Sequence, residues 1–405
     1  MSILRDITTQ SKKYWDADEI LIFIGARQSG KTTILKQIQT ELTKENQPCF
    51  FLDLEDPDYL KLLNEHPKNL FKIFPIDTKL VEKKTVVFVD EIQYLKDPSN
   101  FLKYIFDEYK ETIKLIVSGS SAFYIDSTFK DSLAGRKHII FVPTLSFKEF
   151  LRFKNENSLS EKNLSEVSLD EKNRVEILYR EFITYGGYPR VVLAETSEKE
   201  ELLREIAYSF IKKDIYESGI KQEESFYGLL RLLAEQTGNL VNSSELANTL
   251  NVSKTAVDNY LFVMQKSFLI HLAKPFFRNV RKEITKMPKV FFLDLGLRNF
   301  FAKNFNVFDG RHDKGALLEN SVFRQLLNNH HKDDINFWRT SSQKEIDFVV
   351  NEKEVIEVKT DAKTFKDKNL LTFLDSYPNM KFSLVTLNAD SNPTEKYQIK
   401  NAWEM

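Results

Sequence analysis

The 405-residue sequence predicts an α/β fold whose first third is a doubly wound parallel sheet. Apolar runs alternate with helical patterns there, and strands that are apolar throughout are typical of a parallel sheet covered by helices on both faces. A glycine-rich loop follows the first run and precedes a helix, which is the position of a phosphate-binding loop. The five apolar runs lie at residues 20–24, 49–54, 85–89, 114–117 and 138–142.

Length and composition set broad limits on the protein. A chain of this length is sufficient for two to four domains. Its 58 Lys and Arg residues nearly balance 59 Asp and Glu residues, so the net charge of -1 neither supports nor excludes a nucleic-acid partner. Cys49 is the single cysteine, which excludes an intrachain disulfide. No apolar run reaches membrane-spanning length and no signal core begins the sequence, so we expect a cytoplasmic protein without a membrane partner.

The segment after the sheet has a different pattern. Residues 146–225 predict a small helical domain, whose helical periodicity is broken by a Tyr-Gly-Gly-Tyr-Pro turn at residues 185–189. A polar stretch at residues 155–173 is expected to form an exposed loop.

Residues 226–295 predict three helices followed by two strands. Asn242 and Glu245 have the spacing of a capping box, which marks the start of one of these helices. The strands flank a basic loop, and together these elements outline a winged helix-turn-helix. A basic loop favours contact with the phosphates of DNA, whereas a lid or protein contact is the alternative. The basic residues of the loop are Arg278, Arg281, Lys282 and Lys286.

The glycine-rich loop has the sequence Gly-Ala-Arg-Gln-Ser-Gly-Lys-Thr at residues 25–32, which fits an ATP-binding P-loop. Backbone N–H groups of such a loop and the N-terminus of the following helix bind phosphates. Lys31 is expected to contact the β- and γ-phosphates of ATP, and Thr32 is expected to ligate Mg2+. The predicted nucleotide-binding residues of this segment are Gly25, Gln28, Ser29, Gly30, Lys31, Thr32 and Thr33.

A second motif agrees with the P-loop. The third apolar run ends in Asp90 and Glu91, and parallel strands place their carboxyl ends at the same edge of a sheet. Asp90 is therefore expected to hold Mg2+ through water, and Glu91 to polarise the attacking water as a catalytic base. The acid at Glu91 favours hydrolysis of the nucleotide over passive binding.

Two further segments supply candidates for contact with the nucleotide. Ser118 and Ser120 follow the fourth apolar run, where a hydroxyl group can sense the γ-phosphate; an ordinary Ser/Gly turn is the alternative. Arg136 is a candidate catalytic arginine finger, a group that often comes from a neighbouring subunit. A structural arginine is the alternative for this position.

The motifs together resemble those of prokaryotic AAA+ ATPases that fuse an ATPase core to a C-terminal domain of unknown function. The resemblance spans almost the whole chain, and it makes a homo-oligomer an expected assembly. It also places Arg190, which follows the Gly-Gly turn, near the nucleotide. It implies a P-loop (AAA+) core at residues 1–145, a helical lid at 146–225, a winged helix at 226–295 and a small α/β, restriction-endonuclease-like domain at 296–405. The segments that carry the resemblance lie at residues 24–33, 88–93, 118–121, 133–136, 145–150 and 185–189.

The last domain carries a cluster of candidate metal ligands. A predicted helix contains Glu319, and the predicted strands after it contain Asp347, Glu357 and Lys359. Residues two apart on a strand share a face, so Glu357 and Lys359 point the same way and Asp347 can lie opposite them. The spacing is similar to the PD-(D/E)xK nuclease pattern, with carboxylates suited to a second Mg2+ or Mn2+. The alternative is the alternation of charged and apolar residues that any half-exposed strand has.

The sequence therefore favours an ATP-hydrolysing protein that couples Mg-ATP hydrolysis to an action on DNA. Two alternatives stay open. One is an ATP-dependent metal nuclease with the C-terminal cluster as its site, and the other is a nucleotide-gated DNA-binding regulator with little turnover. In each case ATP would bridge the core and the lid, so that hydrolysis changes their relative orientation.

Overall fold

The computed structural model of the chain describes residues 3–77, 83–119, 133–277, 286–389 and 397–405. The chain divides into two compact units. The first contains residues 1–144 together with 266–268, and the second contains residues 145–265 together with 269–405. The first of these ranges ends at residue 144, next to the predicted end of the ATPase core at residue 145. The domain boundaries expected at residues 225 and 295 both fall inside the second unit.

A five-stranded parallel sheet forms the centre of the first unit. Its strands are β1 (Ile20–Ile24), β2 (Cys49–Asp53), β3 (Thr85–Asp90), β4 (Ile113–Gly119) and β5 (Lys137–Phe141). The spatial order is β2-β3-β4-β1-β5, with Phe23 opposite both Ser118 and Ile140. Each strand corresponds to one of the five apolar runs, so the predicted parallel sheet is confirmed. The carboxyl ends of β1, β3 and β4 therefore meet at one edge.

Helices cover both faces of this sheet. Alternate residues of β1 point to opposite faces, so neighbouring residues of the strand belong to different cores. Phe23 packs with Ile34 and other apolar residues on one face. Ile22 packs with Val87 and Phe101 on the other face. The α-helices in the described residues of this unit are α1 (Asp6–Ser11), α2 (Lys31–Lys44), α3 (Pro57–Glu65), α4 (Leu70–Ile73) and α5 (Pro98–Tyr109).

The second unit begins with helices, as predicted for residues 146–225. They are α6 (Phe147–Phe153), α7 (Asn157–Glu161), α8 (Leu169–Tyr185), α9 (Pro189–Leu193) and α10 (Thr196–Ser218). The expectation of an exposed loop at residues 155–173 is wrong, because this stretch contains α7 and the start of α8. Ser168 and Glu171 form a reciprocal capping box, so α8 begins within a polar sequence without an apolar face to mark it.

Three helices and an antiparallel strand pair follow in the predicted order. They are α11 (Glu223–Glu235), α12 (Ser243–Leu250), α13 (Lys254–Lys266), β6 (Ile270–Ala273) and β7 (Lys289–Phe292). The Asn242 side chain accepts hydrogen bonds from the backbone N–H groups of Ser244 and Glu245, so a helix begins where the spacing of Asn242 and Glu245 predicts one. Lys286 of the basic loop is described by the structure, whereas Arg278, Arg281 and Lys282 lie outside the described residues.

A second five-stranded sheet occupies the end of the chain. The elements are α14 (Leu295–Phe301), α15 (Lys314–Leu326), β8 (Ile335–Arg339), β9 (Glu345–Val350), β10 (Glu354–Val358), α16 (Lys368–Ser376), β11 (Lys381–Thr386) and β12 (Gln398–Asn401). The order is β12-β11-β10-β9-β8, antiparallel from β8 to β10 and parallel from β10 to β12. The predicted helix, three strands, helix and strand are present in that order, and β12 is an additional edge strand. In the described ranges, no helix is both long enough and apolar enough to cross a membrane.

Candidate functional site

Each of the two glycines of the P-loop lies where the backbone disfavours a side chain. Gly25 directly follows β1, and a Cβ at this position would lie 2.2 Å from the carbonyl oxygen of Val142. Gly30 has a φ of 96°, a left-handed conformation that glycine adopts without strain, immediately before α2. Gln28 also has a positive φ, of 59°. The backbone therefore curls between β1 and the N-terminus of α2, as a phosphate-binding loop requires.

Lys31 is folded back over this loop. Its Nζ donates to the carbonyl oxygens of Gly25 at 3.2 Å and Ala26 at 3.0 Å, and the residue is buried. Ser29 is buried as well, whereas Thr33 is exposed on the first turn of α2. Two of the acceptors of the Lys31 ammonium are thus neutral carbonyl groups, which form weaker hydrogen bonds with it than phosphate oxygens do.

Asp90 lies at the carboxyl end of β3, close to the first turn of α2. Its carboxylate accepts hydrogen bonds from the hydroxyl groups of Ser118 on β4 and Thr32 on α2. Burial raises the pKa of Asp90, and these two hydrogen bonds lower it. The structure therefore brings together three residues from separate segments of the chain. Thr32 and Asp90 supply the oxygen ligands that Mg2+ prefers, so this group of residues fits a magnesium ion.

Glu91 follows Asp90 in a left-handed backbone conformation, with a φ of 55°. Its N–H donates to the Ser118 hydroxyl at 3.0 Å, and its carboxylate accepts a hydrogen bond from the side-chain amide of Gln93. These contacts fix the direction of the carboxylate. No sequence motif marks Gln93, because its contact with Glu91 depends on the short helical turn Ile92–Tyr94.

Arg5 is a residue of the site that the sequence motifs do not reveal. Its guanidinium donates to the carbonyl oxygens of Ser29 at 2.7 Å and Pro143 at 2.9 Å, and the residue is only 2% exposed. The C=O of a trans peptide and the following N–H point in opposite directions, so the bond to Ser29 also orients the N–H of Gly30. The one sequence signal is a lone arginine ahead of β1, which no local pattern connects to the P-loop.

Ser120 and Arg136 are the two remaining candidates for contact with the nucleotide. Ser120 lies outside the described residues. The carbonyl of Arg136 accepts a hydrogen bond from Ile20 at the start of β1, and its guanidinium donates to Asp107 at 2.7 Å. Because the P-loop follows the other end of β1, Arg136 lies at the opposite edge of the sheet from the P-loop of its own chain. An arginine finger donated to a neighbouring subunit stays a prediction.

The Tyr-Gly-Gly-Tyr-Pro turn at residues 185–189 is a close-packed junction within the second unit. The carboxylate of Asp294 accepts hydrogen bonds from the N–H of Gly187 at 2.9 Å and from the N–H of Leu297 at 3.1 Å, where α14 begins. A Cβ at Gly186 would lie 2.3 Å from the Asp294 carboxylate, and one at Gly187 would lie 2.5 Å from the backbone oxygen of Leu145, so both positions require glycine. Arg190 beside it forms an exposed ion pair within the same unit. Its expected contact with the nucleotide stays a prediction.

The carboxylates of the nuclease-like pattern are paired with lysines. Lys359 Nζ lies 2.7 Å from Glu357 Oε1 and 3.6 Å from Asp347 Oδ2. Glu319 contacts Lys289, a residue of β7, at 2.9 Å. Burial raises the pKa of both Glu319 and Glu357, and the neighbouring ammonium groups act in the opposite direction.

Comparison with protein families divides the chain into three matched regions. Residues 17–151 match the family model of the AAA domain. Residues 176–307 match a domain of unknown function (DUF8612), and residues 314–404 match a second domain of unknown function (DUF4143). The AAA match contains the P-loop, Asp90 and Glu91, and the last match contains Glu319, Asp347, Glu357 and Lys359.

Similar proteins from bacteria and an archaeon cover nearly the full chain. An uncharacterized protein of Haemophilus influenzae is 28% identical over 385 residues, which are 90% of this chain and 89% of that protein. An uncharacterized protein of Methanocaldococcus jannaschii is 26% identical over 384 residues, covering 91% of this chain and 81% of its own length. The similarity therefore includes the AAA region and both regions that follow it.

Two solved structures have a distant overall likeness to the chain. The Aeropyrum pernix ORC2 protein in its ADP form has a TM-score of 0.32 and 13% identity, covering 66% of this chain and 84% of that one. AMPPCP-bound DnaA from Aquifex aeolicus has a TM-score of 0.34 and 15% identity, covering 64% of this chain and 86% of that one. The chain is thus similar to the AAA domain over residues 17–151, with two regions after it that are similar to domains of unknown function.

Proposed function

We propose that the chain binds and hydrolyses ATP at the carboxyl edge of its first sheet. The observation that carries the proposal is the group formed by Thr32, Asp90 and Ser118, which lies beside a P-loop whose lysine donates to two backbone carbonyls of the loop. A bound triphosphate would replace the carbonyl partners of Lys31, because phosphate oxygens are charged acceptors. The match of residues 17–151 to the AAA domain supports the same activity.

Each residue has a distinct part in this proposal. Backbone N–H groups of residues 25–30 and the N-terminus of α2 bind the phosphates. Thr32 and Asp90 would hold a magnesium ion, which neutralises phosphate charge when bound. Glu91 accepts a proton from water as that water attacks the γ-phosphate, and Gln93 holds the Glu91 carboxylate in position.

The test separates binding from turnover. Lys31→Ala should abolish nucleotide binding, whereas Glu91→Gln should bind ATP normally and hydrolyse it at least about 100-fold more slowly, as expected for loss of a general base. Glu65→Gln, which changes an exposed glutamate at the end of α3, is the matched control and should hydrolyse ATP at the wild-type rate. Unchanged turnover in Glu91→Gln would remove Glu91 as the base.

We further propose that ATP hydrolysis is coupled to an action on DNA. The supporting observation is the succession of three helices and an antiparallel pair, α11 to β7, with a basic loop between the two strands. This succession is typical of a winged helix, whose wing contacts phosphates. The homo-oligomer expected from the family resemblance belongs to the same proposal, because a second copy would supply Arg136.

ATPase turnover with and without double-stranded DNA, at two salt concentrations, tests the coupling. DNA should stimulate turnover at low salt, and the stimulation should fall at high salt because displaced counterions drive the binding. Arg281→Ala combined with Lys282→Ala should lose the stimulation. The control is Lys61→Ala combined with Lys72→Ala, which removes two positive charges from exposed lysines of the first unit. This control should retain the stimulation of turnover by DNA. Absence of stimulation and of DNA binding at low salt would favour a protein partner instead.

The C-terminal domain has the element order expected of a nuclease-like fold: a helix, three antiparallel strands, a helix and a parallel strand. That order and the convergence of Asp347, Glu357 and Lys359 support the fold as a proposal. Fold likeness does not by itself imply cleavage. Whether the cluster accepts a metal ion depends on its internal ion pairs.

A further inference from the structure

Lys289 reaches the C-terminal carboxylates from outside the nuclease-like domain. It is the first residue of β7, and its side chain is only 1% exposed. Its Nζ lies 2.9 Å from Glu319 Oε1 and 2.5 Å from Glu345 Oε1. One ammonium group therefore joins α15 and β9 to the strand pair that precedes them in the chain.

The backbone holds Lys289 firmly in this position. Lys289 pairs with Ala273 across the antiparallel β6–β7 ladder, and it forms an isolated bridge with Leu240 on its other side. The ammonium also lies over the ring of Phe337, 5.4 Å from its centre. The position of the charge is therefore set by strand pairing and by packing, so its contact with Glu319 is not that of a mobile surface lysine.

The remaining carboxylates of the cluster have cationic partners of their own. Glu345 Oε2 accepts a hydrogen bond from Arg339 at 2.8 Å. Lys359 contacts both Glu357 and Asp347. Four carboxylates thus face three cations, and each carboxylate has at least one of the three within 4 Å.

A divalent cation requires a different arrangement. Mg2+ takes oxygen ligands at about 2.0–2.1 Å and needs several of them directed at one point. Glu319 and Glu345 instead direct oxygens at an ammonium group, which would repel a divalent ion placed beside it. Within the ranges that the structure describes, no three Asp, Glu, His or Cys side chains are grouped to hold a metal ion. The residues therefore do not fit the metal that the nuclease pattern implies.

We propose that Lys289 is the resident cation of this cluster, which takes the place of a divalent metal and locks the β6–β7 pair onto the C-terminal domain. In this conformation the cluster is an ion-pair lock, and the chain does not cleave DNA with it. This inference does not depend on ATP hydrolysis, since its residues all belong to the second unit.

Manganese binding tests the proposal directly. All proteins carry Asp90→Asn and are free of nucleotide, so that the first site does not contribute. The parent should bind no Mn2+ at millimolar concentration in a titration followed by electron paramagnetic resonance. Lys289→Met keeps the length of the side chain and removes its charge, and it should gain one Mn2+ site per chain that is occupied at the same millimolar concentration. Adding Asp347→Asn to Lys289→Met should abolish that site.

The controls separate the lock from a general charge effect. Lys353→Met removes one charge from an exposed turn of the same domain and should leave Mn2+ binding at the parent level. Lys289→Arg keeps the charge and should also bind no Mn2+. Mn2+ binding by the parent that is lost with Asp347→Asn would overturn the proposal, and this measurement needs no variant at Lys289. A folded Lys289→Met protein that binds no Mn2+ would overturn it equally.

Discussion

Arg5→Gln should weaken ATP binding without changing the chemical step. Arg5 donates to Ser29 at 2.7 Å and to Pro143 at 2.9 Å, which ties the P-loop to the segment after β5. Glutamine is too short to bond both carbonyls and carries no charge. The Ser29–Gly30 peptide is then free to rotate, and the N–H of Gly30 is no longer directed toward a phosphate.

The size of the effect follows from the bond that is lost. A hydrogen bond with a charged partner contributes about 1.5–3 kcal/mol. If the Gly30 N–H loses one such bond to a phosphate, the dissociation constant of ATP rises roughly 10- to 150-fold. Turnover at saturating ATP should stay within about threefold of wild type, because Arg5 touches no reacting atom. Titration with a fluorescent ATP analogue and steady-state hydrolysis together measure the two quantities.

Thr8→Val is the matched control for Arg5→Gln. Thr8 donates to Gln37 of α2 at 2.9 Å, so this variant loosens the same N-terminal segment without touching the P-loop. It should lower the free energy of unfolding and leave ATP affinity unchanged. Equal loss of affinity in both variants would mean that the segment acts only through stability. Wild-type affinity in a folded Arg5→Gln protein would refute the role of Arg5, and a wild-type protein that binds no ATP would refute the nucleotide site itself.

Three further outcomes follow from the structure. Gly25→Ala should abolish ATP binding measured by titration, since the added Cβ would lie 2.2 Å from a backbone oxygen of the segment after β5. Asp294→Ala should lower the free energy of unfolding by about 3 kcal/mol or more in urea, because the buried N–H groups of Gly187 and Leu297 lose a charged acceptor. Burial lowers the pKa of His271 from 6.5 to about 4, so the unfolded state takes up a proton first as the pH falls. The wild type should therefore lose about 2 kcal/mol of stability from this group between pH 7.5 and pH 5, a loss that His271→Leu should not have.

The sequence predicted those parts of the site that are contiguous in the chain. The P-loop and the Asp90–Glu91 pair each lie at a strand end with a recognisable spacing, and parallel strands bring those ends to one edge. Arg5 and Lys289 could not be predicted, because their contacts are with residues far away in the sequence. Each acts through a contact with a distant segment, and neither lies in a local pattern that marks it. The start of α8 was missed because Ser168 and Glu171 supply a cap where apolar periodicity is absent.

The two lysine-centred sites differ in what holds the ammonium, and that difference predicts which one can accept a ligand. Lys31 donates to the neutral carbonyls of Gly25 and Ala26, which a bound triphosphate would replace with stronger charged acceptors. Lys289 is held by the carboxylates of Glu319 and Glu345, and its release would leave buried negative charge without a partner. An anionic ligand can therefore draw Lys31 away from its contacts at low cost, whereas the Lys289 contacts resist both an anion and a metal. We therefore expect the Lys31 site to accept ATP and the Lys289 cluster to accept neither an anion nor a metal ion.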